Sequence, residues 1–223
     1  MFTSPQDVKV VDNFYEDPSH VVLTTRHNFP IVGCGSGART IPLKEIDQSL
    51  YKSFCDKIYS LHNIDASNLF MTTFFMEHET SSIDILNQRF VHIDGKNPDV
   101  CYMTMEEYKL VLCGQIFLTE NPDPEAGIKF HKLKDSINWS EKELMDNCIN
   151  NYLDPKVAFE AGKLSLEEYK KEHRKYHDNF ELTQVVENVY NRMVSWRAGT
   201  LHGDPMTNRM GRRLTQYFFL QKV

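Results

Sequence analysis

The C-x-x-C spacing of redox and zinc motifs is missing from this chain. Its five cysteines, Cys34, Cys55, Cys101, Cys113 and Cys148, are scattered and odd in number. That argues against a disulfide framework and for reduced thiols in a cytoplasm. No stretch approaches the roughly 20 apolar residues of a membrane span. The opening M-F-T-S-P-Q-D-V also lacks the basic-then-apolar order of a secretion signal, so no membrane attachment is expected. A positive excess is absent too. Twenty-five Lys and Arg against 31 Asp and Glu leave a net charge of −6, which disfavours nucleic acid as a partner. The three glycines of G-C-G-S-G-A-R-T (33–40) do not form G-x-G-x-x-G and follow no strong strand. They exclude a dinucleotide site and read as a loop. No Ser–His–Asp elbow, phosphate-binding Gly-Lys loop, internal repeat or low-complexity tract occurs.

What is present is an ordinary globular composition over 223 residues, read as one domain spanning 1–223. K-V-V-D-N-F (9–14) predicts a short strand, and E-D-P-S-H-V-V-L-T-T-R (16–26) a helix opening at Asp17 and Pro18. Leu43, Ile46, Leu50, Phe54, Ile58 and Leu61 recur in steps of three and four, an amphipathic helix. Aromatic and β-branched runs predict strands at 69–76, 88–94, 109–119, 128–133, 183–190, 192–197 and 213–220. Between them, 140–177 differs in texture. S-E-K-E and S-L-E-E are capping boxes, and Y-K-K-E-H-R-K-Y-H is highly charged. This predicts exposed helices forming an insertion at about 140–180. Strand and helix do not alternate regularly, so the fold class expected is mainly β with packed helices (α+β). Its core would be an antiparallel sandwich or jelly roll, with helices toward the N-terminus.

F-V-H-I-D puts His92 and Asp94 two residues apart on a strand, hence on one face, with Ile93 on the other. Two such ligands can share one metal ion, and His202 would complete a set of two histidines and one carboxylate. That set leaves coordination positions open, as non-heme Fe(II) oxygenases require. H-x-D alone is a weak signal, and His92 reads equally as a strand histidine bonded to its neighbours. R-L-T-Q-Y-F-F-L adds weight. Arg213, Thr215, Tyr217 and Phe219 alternate onto one face, and Leu214, Gln216, Phe218 and Leu220 onto the other. An inward Arg beside a hydroxyl forms a clamp for a carboxylate. Arg212 is a neighbouring candidate, but only Arg213 shares a face with Thr215. Arg209 reads as a solvated loop residue.

H-x-D, a distant His, and R-x-T soon after it resemble the signature of the Fe(II)/2-oxoglutarate-dependent oxygenases. V-V-D-N-F-Y-E-D-P, S-G-A-R-T, F-V-H-I-D, V-Y-N-R-M-V-S-W-R-A-G-T-L-H and R-L-T-Q-Y-F-F-L resemble a narrower group, prolyl-4-hydroxylase-like proteins of phages and bacteria. The resemblance covers most of the chain. It implies a double-stranded β-helix core, with iron on His92, Asp94 and His202 and 2-oxoglutarate on Arg213 and Thr215. The implied chemistry consumes O2, converts 2-oxoglutarate to succinate and CO2, and hydroxylates a C–H bond. The compartment implied is cytoplasmic, the host's if the chain is viral. The long gap from Asp94 to His202 departs from the family pattern and requires the 140–180 segment to be an insertion.

Lesser candidates surround this set. His131 has two readings: it lines the same cavity and touches the co-substrate, or it is an exposed strand residue. The i, i+4 pair of H-R-K-Y-H (173–177) lacks the glutamate of a zinc helix and reads as a solvated face. Arg39, in the Gly-rich loop, reads either as a substrate contact or as a solvated loop residue. Tyr102 and the F-F-M run read as core or cavity wall. Two other classes of function compete: a non-catalytic jelly roll, a binding or structural (for instance virion-associated) protein that keeps the metal site, and a cupin-like dioxygenase that needs neither Arg213 nor Thr215. The primary substrate stays open between a small metabolite and a protein side chain, as do the oligomeric state and the role of the insertion, lid or partner surface.

Overall fold

A computed structural model describes residues 8–27, 32–34, 37–79, 91–94, 110–150, 154–203 and 212–223. Among these residues ten strands are present: β1 (Lys9–Val11), β2 (Val32–Cys34), β3 (Gly37–Arg39), β4 (Leu69–Glu79), β5 (Leu110–Phe117), β6 (Ile128–Leu133), β7 (Phe180–Val186), β8 (Met193–Arg197), β9 (His202–Gly203) and β10 (Arg212–Lys222). They form a seven-stranded sheet in the order β1-β8-β5-β10-β4-β3-β2 and a three-stranded sheet in the order β7-β6-β9. Every described pairing is antiparallel. The class is therefore α+β with antiparallel sheets, as the scattered strands predict.

The helices α1 (Pro18–His27), α2 (Leu43–Ile46) and α3 (Gln48–His62) cover one face of the large sheet. Asp17 accepts from His20 N at 2.9 Å and opens α1. The amphipathic run at 43–61 is two helices, because Asp47 turns extended (φ −148°, ψ 101°) and caps α3 by accepting from Leu50 N. Phe14, Val21, Leu43, Phe54 and Ile58 meet Met71, Phe75, Leu112, Ile116, Phe218 and Leu220 there. Each such buried side chain contributes about 1.5–3 kcal/mol. Gly114 is required by the fit. A Cβ there would come within 2.2 Å of the Phe218 ring and 2.7 Å of the Val194 carbonyl. The opposite face carries Cys113, Phe117, Val194 and Trp196 against Ile128, Phe130 and Val186 of the small sheet.

Several expectations are corrected. Residues 33–40 are not all loop. Val32–Cys34 and Gly37–Arg39 pair as an antiparallel hairpin that extends the sheet edge. The strand expected at 88–94 is described only for 91–94, where His92 makes a single bridge to His202. The strand expected at 183–190 runs 180–186.

The helical stretch comprises α4 (Glu141–Met145), a π-turn (Asp146–Asn150), α5 (Asp154–Glu160) and α6 (Leu166–His177). Both capping boxes form, at Ser140 with Glu143 and at Ser165 with Glu168. The segment is not merely exposed. Leu144, Cys148 and Tyr176 pack on Val91, Ile93, Phe180 and Leu201 in a core of their own. Nor is the H-R-K-Y-H stretch a solvated face: His173 is 3% exposed, and its ring stacks on His177 with centroids 4.2 Å apart. Charge marks the outer side of α6, while Tyr169 and His173 mark a buried stripe. Tyr102 and Arg209 lie outside the described residues. Among the described residues no helix is long and apolar enough to cross a membrane. Cys55, Cys113 and Cys148 are free and buried.

Candidate metal centre

The single bridge at His92 brings the first three candidates together. His92 N donates to His202 O at 2.8 Å, and His202 N donates to His92 O at 2.9 Å. Residues in such a pair project side by side, and the two imidazole rings lie 4.4 Å apart. Asp94, two residues on, returns to the same side. Its Oδ2 lies 3.1 Å from His202 Nε2, and its Oδ1 lies 3.8 Å from His92 Nε2. One ligand atom from each of the three residues lies within 4.8 Å of the others.

The donor set fits a metal. Two ligand atoms each about 2.1 Å from one ion and at right angles are about 3 Å apart, close to the His202–Asp94 separation. His202 Nδ1 lies 2.9 Å from the Thr200 carbonyl. A carbonyl only accepts, so a proton sits on Nδ1, which leaves Nε2, on the Asp94 side, as the nitrogen that would meet a metal. Trp196 covers the His202 ring with centroids 4.7 Å apart, and Phe130 packs edge-on against Trp196. These rings keep that flank dry.

Cys113 is a wall residue that sequence reasoning missed, since a thiol in K-L-V-L-C-G-Q-I-F reads as core. It is wholly buried, within hydrogen-bonding reach of Asp94, and burial with the adjacent carboxylate pushes its thiol well up. Cys113 pairs with Phe219, Gln115 with Tyr217 and Phe117 with Thr215. Cross-strand partners share a face. Arg213, Thr215 and Gln115 therefore stand on the face that meets Asp94. The Arg213 Nη1 donates to the Ala126 carbonyl at 3.1 Å. Arg212 is exposed and lies 3.6 Å from Glu77, so it is not the inward arginine.

The two faces of the large sheet treat buried polar groups differently. On the helix side, Gln216 is satisfied: Tyr15 Oη donates to its Oε1 at 2.5 Å, and its Nε2 donates to Thr73 Oγ1 at 2.9 Å. On the other side, the fully buried Gln115 Nε2 and Thr215 Oγ1 find no hydrogen-bond partner among the described residues. An unpaired buried polar group costs about 1–3 kcal/mol, so each calls for an explanation. Gln115 was the second residue missed. Its signal was a lone amide inside an apolar strand.

His131 sits on β6 at the bulge after Phe130, partly buried. Burial, then Lys129 and His202, lower its pKa to about 4, so its ring is neutral. Arg39 is exposed, with its guanidinium 5.6 Å from the Phe74 ring centroid.

No protein-family model matches the sequence, and no curated protein matches it by sequence. Solved structures do match. One is HygX from Streptomyces hygroscopicus with nickel, 2-oxoglutarate and hygromycin B bound: 11% identity, TM-score 0.57, covering 97% of this chain and 83% of that one. Another is a Pseudomonas putida prolyl-4-hydroxylase: 9% identity, TM-score 0.53, covering 97% and 92%. A third is the viral collagen prolyl hydroxylase of Paramecium Bursaria Chlorella virus-1 in complex with 2-oxoglutarate: 10% identity, TM-score 0.51, covering 97% and 96%. The chain shares the fold of iron- and 2-oxoglutarate-dependent oxygenases, prolyl hydroxylases among them.

Proposed function

We propose that the chain is an Fe(II)- and 2-oxoglutarate-dependent dioxygenase on a double-stranded β-helix core, and that it hydroxylates a C–H bond of its substrate. The observation that carries this reading is a junction. Three ligand-type atoms converge within 4.8 Å beside a sheet face that carries Arg213 and whose buried Gln115 Nε2 and Thr215 Oγ1 find no partner among the described residues. His92, Asp94 and His202 would hold the ion. Arg213, Thr215 and Gln115 would hold the distal carboxylate of 2-oxoglutarate, through a guanidinium fork and two neutral donors. His131, neutral, would add a hydrogen bond rather than a charge.

When bound, iron with 2-oxoglutarate and O2 supplies oxidative decarboxylation to succinate and CO2, coupled to oxidation of a C–H bond. The chain's own residues orient and protect. Thr200 fixes the His202 tautomer, Trp196 and Phe130 exclude water, and Arg213 sets the direction of the co-substrate. The substrate class is a small metabolite or a protein side chain, as among the structural neighbours, and the free buried thiols suit a cytoplasm. A non-catalytic jelly roll would have no use for buried unpaired donors, and a cupin-like dioxygenase no use for the Arg213 and Thr215 pair.

The test is anaerobic titration of the protein with Fe(II) and 2-oxoglutarate. A weak visible charge-transfer band is expected, diminished in Arg213→Ala, with succinate released on admitting O2. A folded protein that shows no band overturns the reading.

A further inference from the structure

We infer that the helical segment 141–177 positions the metal ligands, and that Tyr176 is the positioning residue through which it acts. The inference rests on the metal-centre reading above. Val91–Asp94 must hold His92 and Asp94 in place, yet among the described residues its one bridge is His92 with His202. The helices supply what a second strand would. Ile93 N donates to the Cys148 carbonyl at 3.2 Å, out of the π-turn Asp146–Asn150. Tyr176 Oη donates to the Val91 carbonyl at 2.5 Å. The same hydroxyl lies 3.4 Å from Asn147 O and 3.5 Å from Cys148 Sγ, so it sits where the π-turn, α6 and the ligand segment meet.

Side chains complete the grip. Val91 and Ile93 point away from the metal side, into Leu144, Cys148, Phe180 and Leu201. The Tyr176 ring rests 5.2 Å from that of Phe180. Docking of the helices and placement of His92 and Asp94 are therefore one set of contacts. Binding free energies couple reciprocally, so whatever helps the helices hold 91–94 helps the metal, and the metal firms the helices in return.

The probe is Co(II) alone, added to the full chain. Tyr176→Phe keeps the ring and deletes the hydroxyl. A loss of about tenfold in Co(II) affinity is expected, the scale of outer-shell changes, with an altered visible Co(II) spectrum. The melting temperature of the metal-free protein should fall by only about 2–4 °C. Ser165→Ala weakens the far end of α6 without touching 91–94 and should bind Co(II) as wild type does. In the wild type, Co(II) should slow amide exchange across 141–177. Wild-type affinity and spectrum in Tyr176→Phe, or an equal loss in Ser165→Ala, overturns the inference and leaves the metal reading standing. If Tyr176→Phe fails to fold, the exchange measurement decides, and unchanged exchange overturns it. A wild type that binds no Co(II) removes both.

Discussion

β10 and the Val91–Asp94 segment carry the two halves of the candidate site, and they are held by opposite means. β10 pairs with β4 over its whole length, from Arg212 opposite Glu79 to Lys222 opposite Leu69, and with β5 on its other edge. Among the described residues the ligand segment has one bridge, to His202, and hydrogen bonds with Cys148 and Tyr176 of the helical stretch. Backbone ladders place Arg213 almost regardless of side-chain identity. Side chains far away in sequence place His92 and Asp94. Damage near β10 should therefore appear as lost stability, and damage near 91–94 as lost metal.

Phe218→Ala should give the largest effect. This wholly buried ring packs on Phe54 at 5.4 Å, and its loss should cost about 3–5 kcal/mol in urea denaturation. Little loss of stability would mean that β10 is not the structural spine. Asp94→Ala or His202→Ala should lower Co(II) affinity by more than about 100-fold, beyond what an outer-shell change produces, with the urea midpoint nearly kept. Calorimetry on both variants would show whether metal and stability really separate. Arg213→Ala should weaken 2-oxoglutarate binding by about 10–100-fold, the worth of a charge-assisted hydrogen bond. Co(II) affinity should not move, and a parallel loss of metal would erase the distinction.

The smallest effect expected is on pH. Burial, then neighbouring histidines and Lys129, hold His177 at about 3, and burial holds His131 at about 4. Unfolded histidine titrates near 6.5. Between those values the unfolded chain binds more protons, so stability falls as pH drops below about 6.5 and is regained as it rises. Unfolding free energy from urea titrations should be lower at pH 5 than at pH 7, and His177→Gln should narrow the gap. Exchange in 141–177 should feel the acid before exchange in β10.

The large sheet and the N-terminal helices were legible because their signals are local. Apolar steps of three and four, Asp17 before Pro18 and strand alternation at 213–220 each report on immediate neighbours. His92, Asp94, His202, Arg213 and Thr215 were legible as candidates because residue type and spacing carry the chemistry. The packing of 141–177 was not. Charge dominates the outer side of α6 and hides the buried stripe of Tyr169 and His173. A hydroxyl reaching a carbonyl 85 positions away leaves no periodic trace. Cys113 and Gln115 were hidden for a related reason. Strand alternation places both on one face, but only the fold shows that the face meets Asp94. The hairpin at 32–39 was missed because glycine suits a turn and a short edge strand equally well.

Synthesis order adds a constraint of its own. Among the described strands β10 comes last in the chain, yet it joins two half-sheets, β1-β8-β5 and β4-β3-β2. A nascent chain that has not yet produced residues 212–222 already contains His92, Asp94 and His202. It has no closed sheet on which to mount them. Until then β4 and β5 present open apolar edges of the kind that pair with the wrong partner. A ribosome that stalls in this interval releases an open-edged product for chaperones and proteases.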